Sequence, residues 1–181
     1  MVVRRLSAKD ARAAVPALAE VLIDCVDGGA SVSFMNPMTI EKATRFWNMV
    51  ADAVDHDERA VLVAEDESGQ ILGTVQLVLA LPENQPHRAD LAKMLVHRRA
   101  RRRGVAQRLL DAAETTARDE GKTMLVLDAV TDGDAARLYA RSGWQRVGEI
   151  PNYALMPDGA FCATTYFYKN LGAQGRTADR P

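Results

Sequence analysis

The segment Met94-Leu95-Val96-His97-Arg98-Arg99-Ala100-Arg101-Arg102-Arg103-Gly104-Val105-Ala106-Gln107-Arg108-Leu109-Leu110 decides the fold. An apolar strand runs to Val96, a short basic loop follows, and the loop opens a helix. Within that loop, Arg101-x-x-Gly104-x-Ala106 places small residues where a ligand would lie closest. A helix N-terminus presents unpaired N–H groups and roughly half a positive charge, which suits it to a phosphate group. Gly104 and Ala106 let the backbone approach that group closely. The dinucleotide fingerprint is excluded, because its second glycine-rich turn and distal acid are missing. The P-loop is excluded too, since no Gly-Lys-Ser/Thr follows.

A length of 181 residues fits one domain with a real core, and 48% hydrophobic with 26% charged residues is a soluble, globular composition. The net charge of −1 creates no global field for nucleic acid or a membrane surface. Five arginines crowd His97 to Arg103, but no interleaved aromatics offer base stacking, so phosphates of a small cofactor are the better partner. Cys25 and Cys162 lie far apart and His56, His87 and His97 are scattered, so no metal site is expected. This cysteine usage, no apolar signal core and no run near ~18 apolar residues imply a cytoplasmic protein.

The pattern along the chain predicts a strand at Val2 to Leu6 and a helix capped by Ser7 with Asp10. Ala14, Leu18, Val21, Leu22 and Cys25 form its apolar face, Pro16 starts or bends it, and Gly28-Gly29 ends it. Thr39 caps a second helix to about Val54. Ala60 to Glu65 and Ile71 to Leu81 form a hairpin, with Ile71, Val75, Leu77, Leu79 and Leu81 on one face. Arg88 to Val96 is the next strand, and alternation places Asp90, Ala92, Met94 and Val96 on one face. A helix follows from Gly104 to about Glu120, then a buried strand at Met124 to Leu127. Asp134 to Arg141 is a short helix, and Gln145 to Ile150 with Phe161 to Lys169 are the last strands. Residues 1–171 form the domain, and residues 172–181 read as a disordered tail. The order implies one mixed α/β sheet, mostly antiparallel, with helices on both faces.

The phosphate-type loop, the acid Asp90 upstream of it, and Asp134-x-x-Arg137-Leu138-Tyr139-x-x-x-Gly143-Trp144 together resemble the GNAT superfamily of N-acetyltransferases. The resemblance implies the acyltransferase fold, acetyl-coenzyme A as cosubstrate, and direct transfer of its acetyl group in a ternary complex. In that pattern an acid lies four residues before the backbone amide that holds the thioester carbonyl and fourteen before the loop glycine, as Asp90, Met94 and Gly104 do here. Asp90 is thereby the candidate base, as an alternative to a strand-end acid paired with Arg88 or Lys93. The backbone of Met94, Leu95 and Val96 would hold the acyl group, and Arg101, Arg102, Arg103, Gly104, Val105 and Ala106 the pyrophosphate. Asp134 stands nearest to the family's usual asparagine beside the pantetheine arm. Tyr139 would protonate the departing thiolate, as an alternative to a purely packed ring.

Asp128, directly after the buried strand, is a second candidate for the base or for holding the amine, with a turn-capping role as its alternative. Ser31, Ser33 and Phe34, in the connection between the first helices, and Tyr153 are the acceptor-side candidates. These segments look like those of the tabtoxin resistance acetyltransferases within the superfamily, which points to a small amine, including an amino-acid-derived toxin or antibiotic. The alternatives are acetylation of a protein or peptide, favoured by an open groove, and non-catalytic binding of acyl-coenzyme A or a toxin. A monomer or a homodimer is compatible with the chain.

Overall fold

The computed structural model describes residues 1–172, so the expected tail lies outside the described residues except for Gly172. Ser7 Oγ accepts the Asp10 N–H at 3.1 Å and starts helix α1 (Ala8–Asp27). Thr39 Oγ1 accepts the Lys42 N–H at 3.3 Å and starts α2 (Ile40–Asp55). Pro16 lies inside α1 rather than in its first turn. The chain begins with strand β1 (Val2–Arg5), and β2 (Arg59–Glu65), β3 (Ile71–Val78) and β4 (Arg88–Val96) follow the two helices. Then come α3 (Val105–Asp119), β5 (Met124–Val130), α4 (Asp134–Arg141), β6 (Gln145–Leu155) and β7 (Phe161–Asn170). No helix among the described residues is long and apolar enough to cross a membrane.

The seven strands form one sheet in the order β1-β2-β3-β4-β5-β7-β6. Every pairing is antiparallel except β4 with β5. Leu18, Leu22, Val26, Trp47 and Val50 of α1 and α2 pack with Val61 and Val63 on one face. Leu109, Leu110 and Ala113 of α3 and Leu138 of α4 pack with Leu62, Leu77, Leu125 and Leu127 on the other. Two apolar layers therefore sandwich the sheet, as the order of elements implied.

Two bulges change which side chains face which layer. Ala64 pairs with Gly73 but Glu65 with Ile71, so one extra residue of β3 is accommodated there. Ile71 consequently enters the α1–α2 layer, whereas Val75, Leu77 and Leu79 enter the α3–α4 layer. The single face expected for these residues is thus split, and β3 ends at Val78 rather than Leu81. The second bulge lies in β4, where Thr74 pairs with Leu95 and Gln76 with Ala92, around Lys93 at φ 50°. Ala89 and Leu91 face the α3–α4 layer, but Leu95 faces the α1–α2 layer. Asp90, Ala92, Met94 and Val96 therefore do not share a face. Asp90 and Ala92 look toward the α1–α2 side, while Met94 and Val96 pack beneath α3. The extra residue reverses the alternation.

The parallel ladder is short. Arg88, Ala89 and Asp90 pair with Met124, Leu125 and Val126, and no rung follows. β5 continues to Val130 against β7, so Asp128 lies within the strand rather than after it. A cleft opens between β4 and β5 beyond Asp90.

Far from that cleft, the buried Glu114 of α3 accepts from Lys169 Nζ at 2.7 and 2.8 Å and from the Trp144 indole N–H at 3.1 Å. Lys169 Nζ also reaches Ser142 O at 2.8 Å, so this network joins α3, the end of α4 and β7. Glu114→Ala is expected to cost about 3 kcal/mol of unfolding free energy, because it strands a half-buried ammonium and an indole donor. Urea denaturation checks this, and a loss below about 1 kcal/mol would place the network with weak surface pairs.

Candidate active site

Past Val96 the chain makes one 3-10 turn at Arg98–Ala100 and enters α3 through Gly104, which adopts the left-handed conformation at φ 76°. Arg102 is also left-handed, at φ 59°, and such alternation turns successive N–H groups into a concave, anion-receiving backbone. No side chain caps the helix. The Arg108 N–H bonds back to Gly104 O at 3.1 Å, leaving the first-turn N–H groups of Val105, Ala106 and Gln107 for an external acceptor. A Cβ on Gly104 would meet nothing within 4 Å, so backbone conformation rather than crowding calls for glycine, and the space above is open.

The arginine run divides in two. Arg98 donates its backbone N–H and Nε to Asp24 at 2.7 and 2.9 Å, and Arg99 pairs with Glu20 at 2.9 Å. Both fasten the loop to α1. Arg101 donates Nε to Val96 O at 3.3 Å. Arg102 and Arg103 are exposed and have no carboxylate partner among the described residues. Beneath the loop sits Gly73, where a Cβ would lie 2.6 Å from Leu95 O and 3.3 Å from Val105 and Leu109. Its bareness lets the start of α3 rest on the sheet. Asp134 opens α4 and is highly exposed, paired with Arg137 at 2.7 Å. Arg137 foremost, then Arg102 and Arg101, hold its carboxyl below the usual range.

Asp90 occupies the last rung before the strands part. Arg88 Nη1 lies 3.3 Å from its Oδ1, so Arg88 rather than Lys93 is its ionic partner. Burial raises the Asp90 pKa, Arg88 opposes this, and Asp128 adds to it. Asp128 accepts from Thr164 Oγ1 at 3.3 Å and faces Tyr166 across the β5–β7 ladder. Tyr166 shares a 2.7 Å hydrogen bond with the hydroxyl of Tyr153, which helps push the Tyr166 phenol up to about 12. Tyr139 is buried on the α4 side, its ring 5.5 Å from Trp144 and 6.0 Å from Phe167. Burial first and Asp128 second drive its phenol pKa upward. The charge of Asp128 thus acts on both Asp90 and Tyr139. Burial also pushes the Cys25 thiol up, which makes it a poor nucleophile.

The α1–α2 connection lies across this face as a roof. Ser31 Oγ donates to Leu155 O at 2.9 Å, and the Asn36 N–H donates to Pro157 O at 3.1 Å, tying the loop to the β6–β7 hairpin. Ser33, at φ 75°, accepts from Lys93 Nζ at 3.1 Å. Phe34 meets Phe46 edge-on at 5.1 Å. Ser31, Ser33 and Phe34 thereby come to one side of the cleft and Tyr153 to the other.

Several polar residues at this site escape the sequence pattern: Arg59, Gln76, Lys93, Tyr166 and the packing residue Gly73. Lys93 and Gln76 leave a trace, since each interrupts an apolar strand. Only the bulge and the cross-strand register give that trace a meaning.

A family model described as Acetyltransferase (GNAT) family matches residues 30–144, more than half of the chain. Solved structures agree in fold. A ribosomal-protein-alanine N-acetyltransferase from Brucella melitensis superposes with TM-score 0.76 at 22% identity, covering 94% of this chain and 99% of that one. A Salmonella typhimurium protein solved with its cofactor acetyl-CoA gives 0.78 at 17%, covering 99% of each chain. An aminoglycoside 6'-acetyltransferase type Ii gives 0.71 at 15%, covering 97% of this chain and 100% of that one. With the loop, the parted strands and the family model in agreement, the chain belongs to the GNAT family of acetyltransferases, enzymes that use acetyl-coenzyme A.

Proposed function

We propose that this enzyme acetylates the amine of a small molecule by direct transfer, with Asp90 as the base and Tyr139 as the proton donor to the departing thiolate. The observation that carries this reading is the position of Asp90 at the fork of β4 and β5, facing the roofed side of the sheet. Burial raises its affinity for a proton, which suits a carboxylate that must take one from an ammonium. Asp128, two residues beyond the last rung, holds negative charge beside the incoming amine. When bound, acetyl-coenzyme A supplies the activated acyl group. Arg101, Arg102, Arg103 and the N–H groups of Gly104, Val105 and Ala106 would hold its pyrophosphate, with Asp134 at the rim. The backbone of Met94, Leu95 and Val96 has no β5 partner, so an N–H group left on that side would orient the acyl carbonyl. Tyr139 keeps its proton at working pH because burial disfavours the phenolate.

The structural relatives include one named for a ribosomal protein and one named for an aminoglycoside, so they do not choose the acceptor. The roof supports a small one: Ser31 and Asn36 pin the α1–α2 connection to the β6–β7 hairpin, which favours a compact amine over an extended polypeptide. Amino-acid-derived toxins and antibiotics fall within that class. The positioned acid at the fork favours an enzyme over a protein that only sequesters its ligand.

Gly104→Glu should abolish acetyl-coenzyme A binding in calorimetry while the melting temperature falls only modestly, because a carboxylate would enter the anion site. Unchanged affinity would dismiss the loop as the phosphate cradle. Asp90→Asn should lower turnover by about 10²–10⁴, with partial recovery at high pH, where the amine is already free. The same variant should be more stable than the parent near neutral pH. Burial raises the folded pKa of Asp90, so its contribution is full below the unfolded pKa and lost as pH rises through the folded one. The stability gap should therefore narrow as pH falls toward about 4. A parental pH–rate profile in Asp90→Asn would transfer the base role to Asp128. Tyr139→Phe should cut turnover by about one to three orders of magnitude with nearly normal stability and coenzyme A affinity. Full activity would leave Tyr139 a packing residue.

A further inference from the structure

On the roofed face, two cations stand without anions. Arg59, Val78 and Asp90 form one cross-strand row, so Arg59 lies two strands from Asp90, about 10 Å between Cα atoms. In the adjacent row Gln76 pairs with Ala92, next to the bulge that presents Lys93 to the α1–α2 side. Arg59 Nη1 donates to Gln76 Oε1 at 2.7 Å. Gln76 is fully buried, and its Nε2 has no hydrogen-bond partner. Lys93 Nζ reaches only the neutral Ser33 hydroxyl, at 3.1 Å, and sits 5.9 Å from the Phe46 ring. Neither Lys93 nor Arg59 has a carboxylate within ion-pair distance among the described residues.

Such an arrangement is costly. Two half-buried cations that repel each other lose hydration in exchange for one neutral hydrogen bond apiece, and the buried amide donor beside them has nothing to bond. Burial foremost lowers both pKa values; the field of Arg59 adds to this for Lys93, while Asp128 opposes it there and Glu58 opposes it for Arg59. Cations perturbed in this way by burial and a like neighbour mark a candidate binding site, and an external anion would complete them. The carboxylates Asp90 and Asp128 lie on the same face but hold separate partners, Arg88 and Thr164. The face is thus divided into a cationic end under α2 and an acidic end at the fork.

We propose that the acceptor carries a carboxylate as well as its amine, with Lys93, Arg59 and the Gln76 amide receiving the carboxylate while Asp90 and Asp128 face the amine. The proposal rests on the acetyl-transfer reading and narrows its substrate class to compact amino acids and their derivatives. Lys93 and Arg59 are then specificity residues rather than catalytic ones.

The test compares α-, β- and γ-amino acids with the carboxamide of each, by release of coenzyme A thiol from acetyl-coenzyme A with the full chain. The acids should be preferred in kcat/KM by about 10- to 100-fold, the range of a charged hydrogen bond. Lys93→Gln should erase most of that preference through KM, Lys93→Arg should retain it, and Arg59→Gln serves should Lys93→Gln not fold. Carboxamides used as well as the acids would overturn the proposal, as would a preference that survives both neutral substitutions. Turnover of an aminoglycoside or a peptide but of no amino acid would overturn it while leaving acetyl transfer intact. No thiol release with any amine would instead remove the acetyl-transfer reading itself, and the proposal with it.

Discussion

The structure depends on how little of the β4–β5 ladder is made. A parallel pair needs a crossover, here α3, whose N-terminus must arrive where β4 ends. By pairing over only Arg88, Ala89 and Asp90, the two strands leave the rest of β4 without a β5 partner, and Val96 O accepts instead from Arg101 Nε at 3.3 Å. Unpaired strand edges inside a sheet are costly unless something else satisfies them. The basic loop at one end of the gap and the carboxylates at its start are arranged around that unmet demand. β5 tolerates it because β7 pairs with it from Met124 to Val130 on the other side.

The order of elements was legible because its determinants are local. Ser7 and Thr39 cap their helices as short-range chemistry requires, and Gly104 marks the entry to α3 through a conformation that few other residues accept. The facing of side chains was less legible, because alternation assumes unbroken pleat. The bulges opposite Ala64 and at Lys93 each insert a residue, and the signal for them lies in the partner strand, not in the segment itself. That is why alternation alone puts Ile71 and Met94 on the wrong faces. The apolar run of β5 stops at Leu127 and Asp128 resembles a strand end, yet β7 keeps pairing past it.

The basic loop shows how one composition serves two purposes. Sequence alone treats five arginines as a single positive field. Packing separates them by what lies opposite: α1 offers Glu20 and Asp24, which engage Arg99 and Arg98, whereas among the described residues no carboxylate pairs with Arg102 or Arg103. The bound pair fixes the loop's position, and Arg102 and Arg103 stay exposed. A uniform substitution of lysine for arginine would not preserve this division, because the Asp24 carboxylate accepts both a guanidinium and a backbone N–H from the same residue.

The roof over the cleft is held by main-chain oxygens of the β6–β7 hairpin, those of Leu155 and Pro157. A carbonyl is present whatever side chain the residue carries. Drift in the hairpin's side chains can therefore recontour the wall around Tyr153 without unseating the loop above it, so long as Ser31 and the strand's path persist. The basic loop ahead of α3 belongs to a different part of the chain and has no such latitude, since its geometry depends on Gly104 and Gly73. A lineage built on this frame can exchange one acceptor for another in small steps while its source of acetyl groups stays constant.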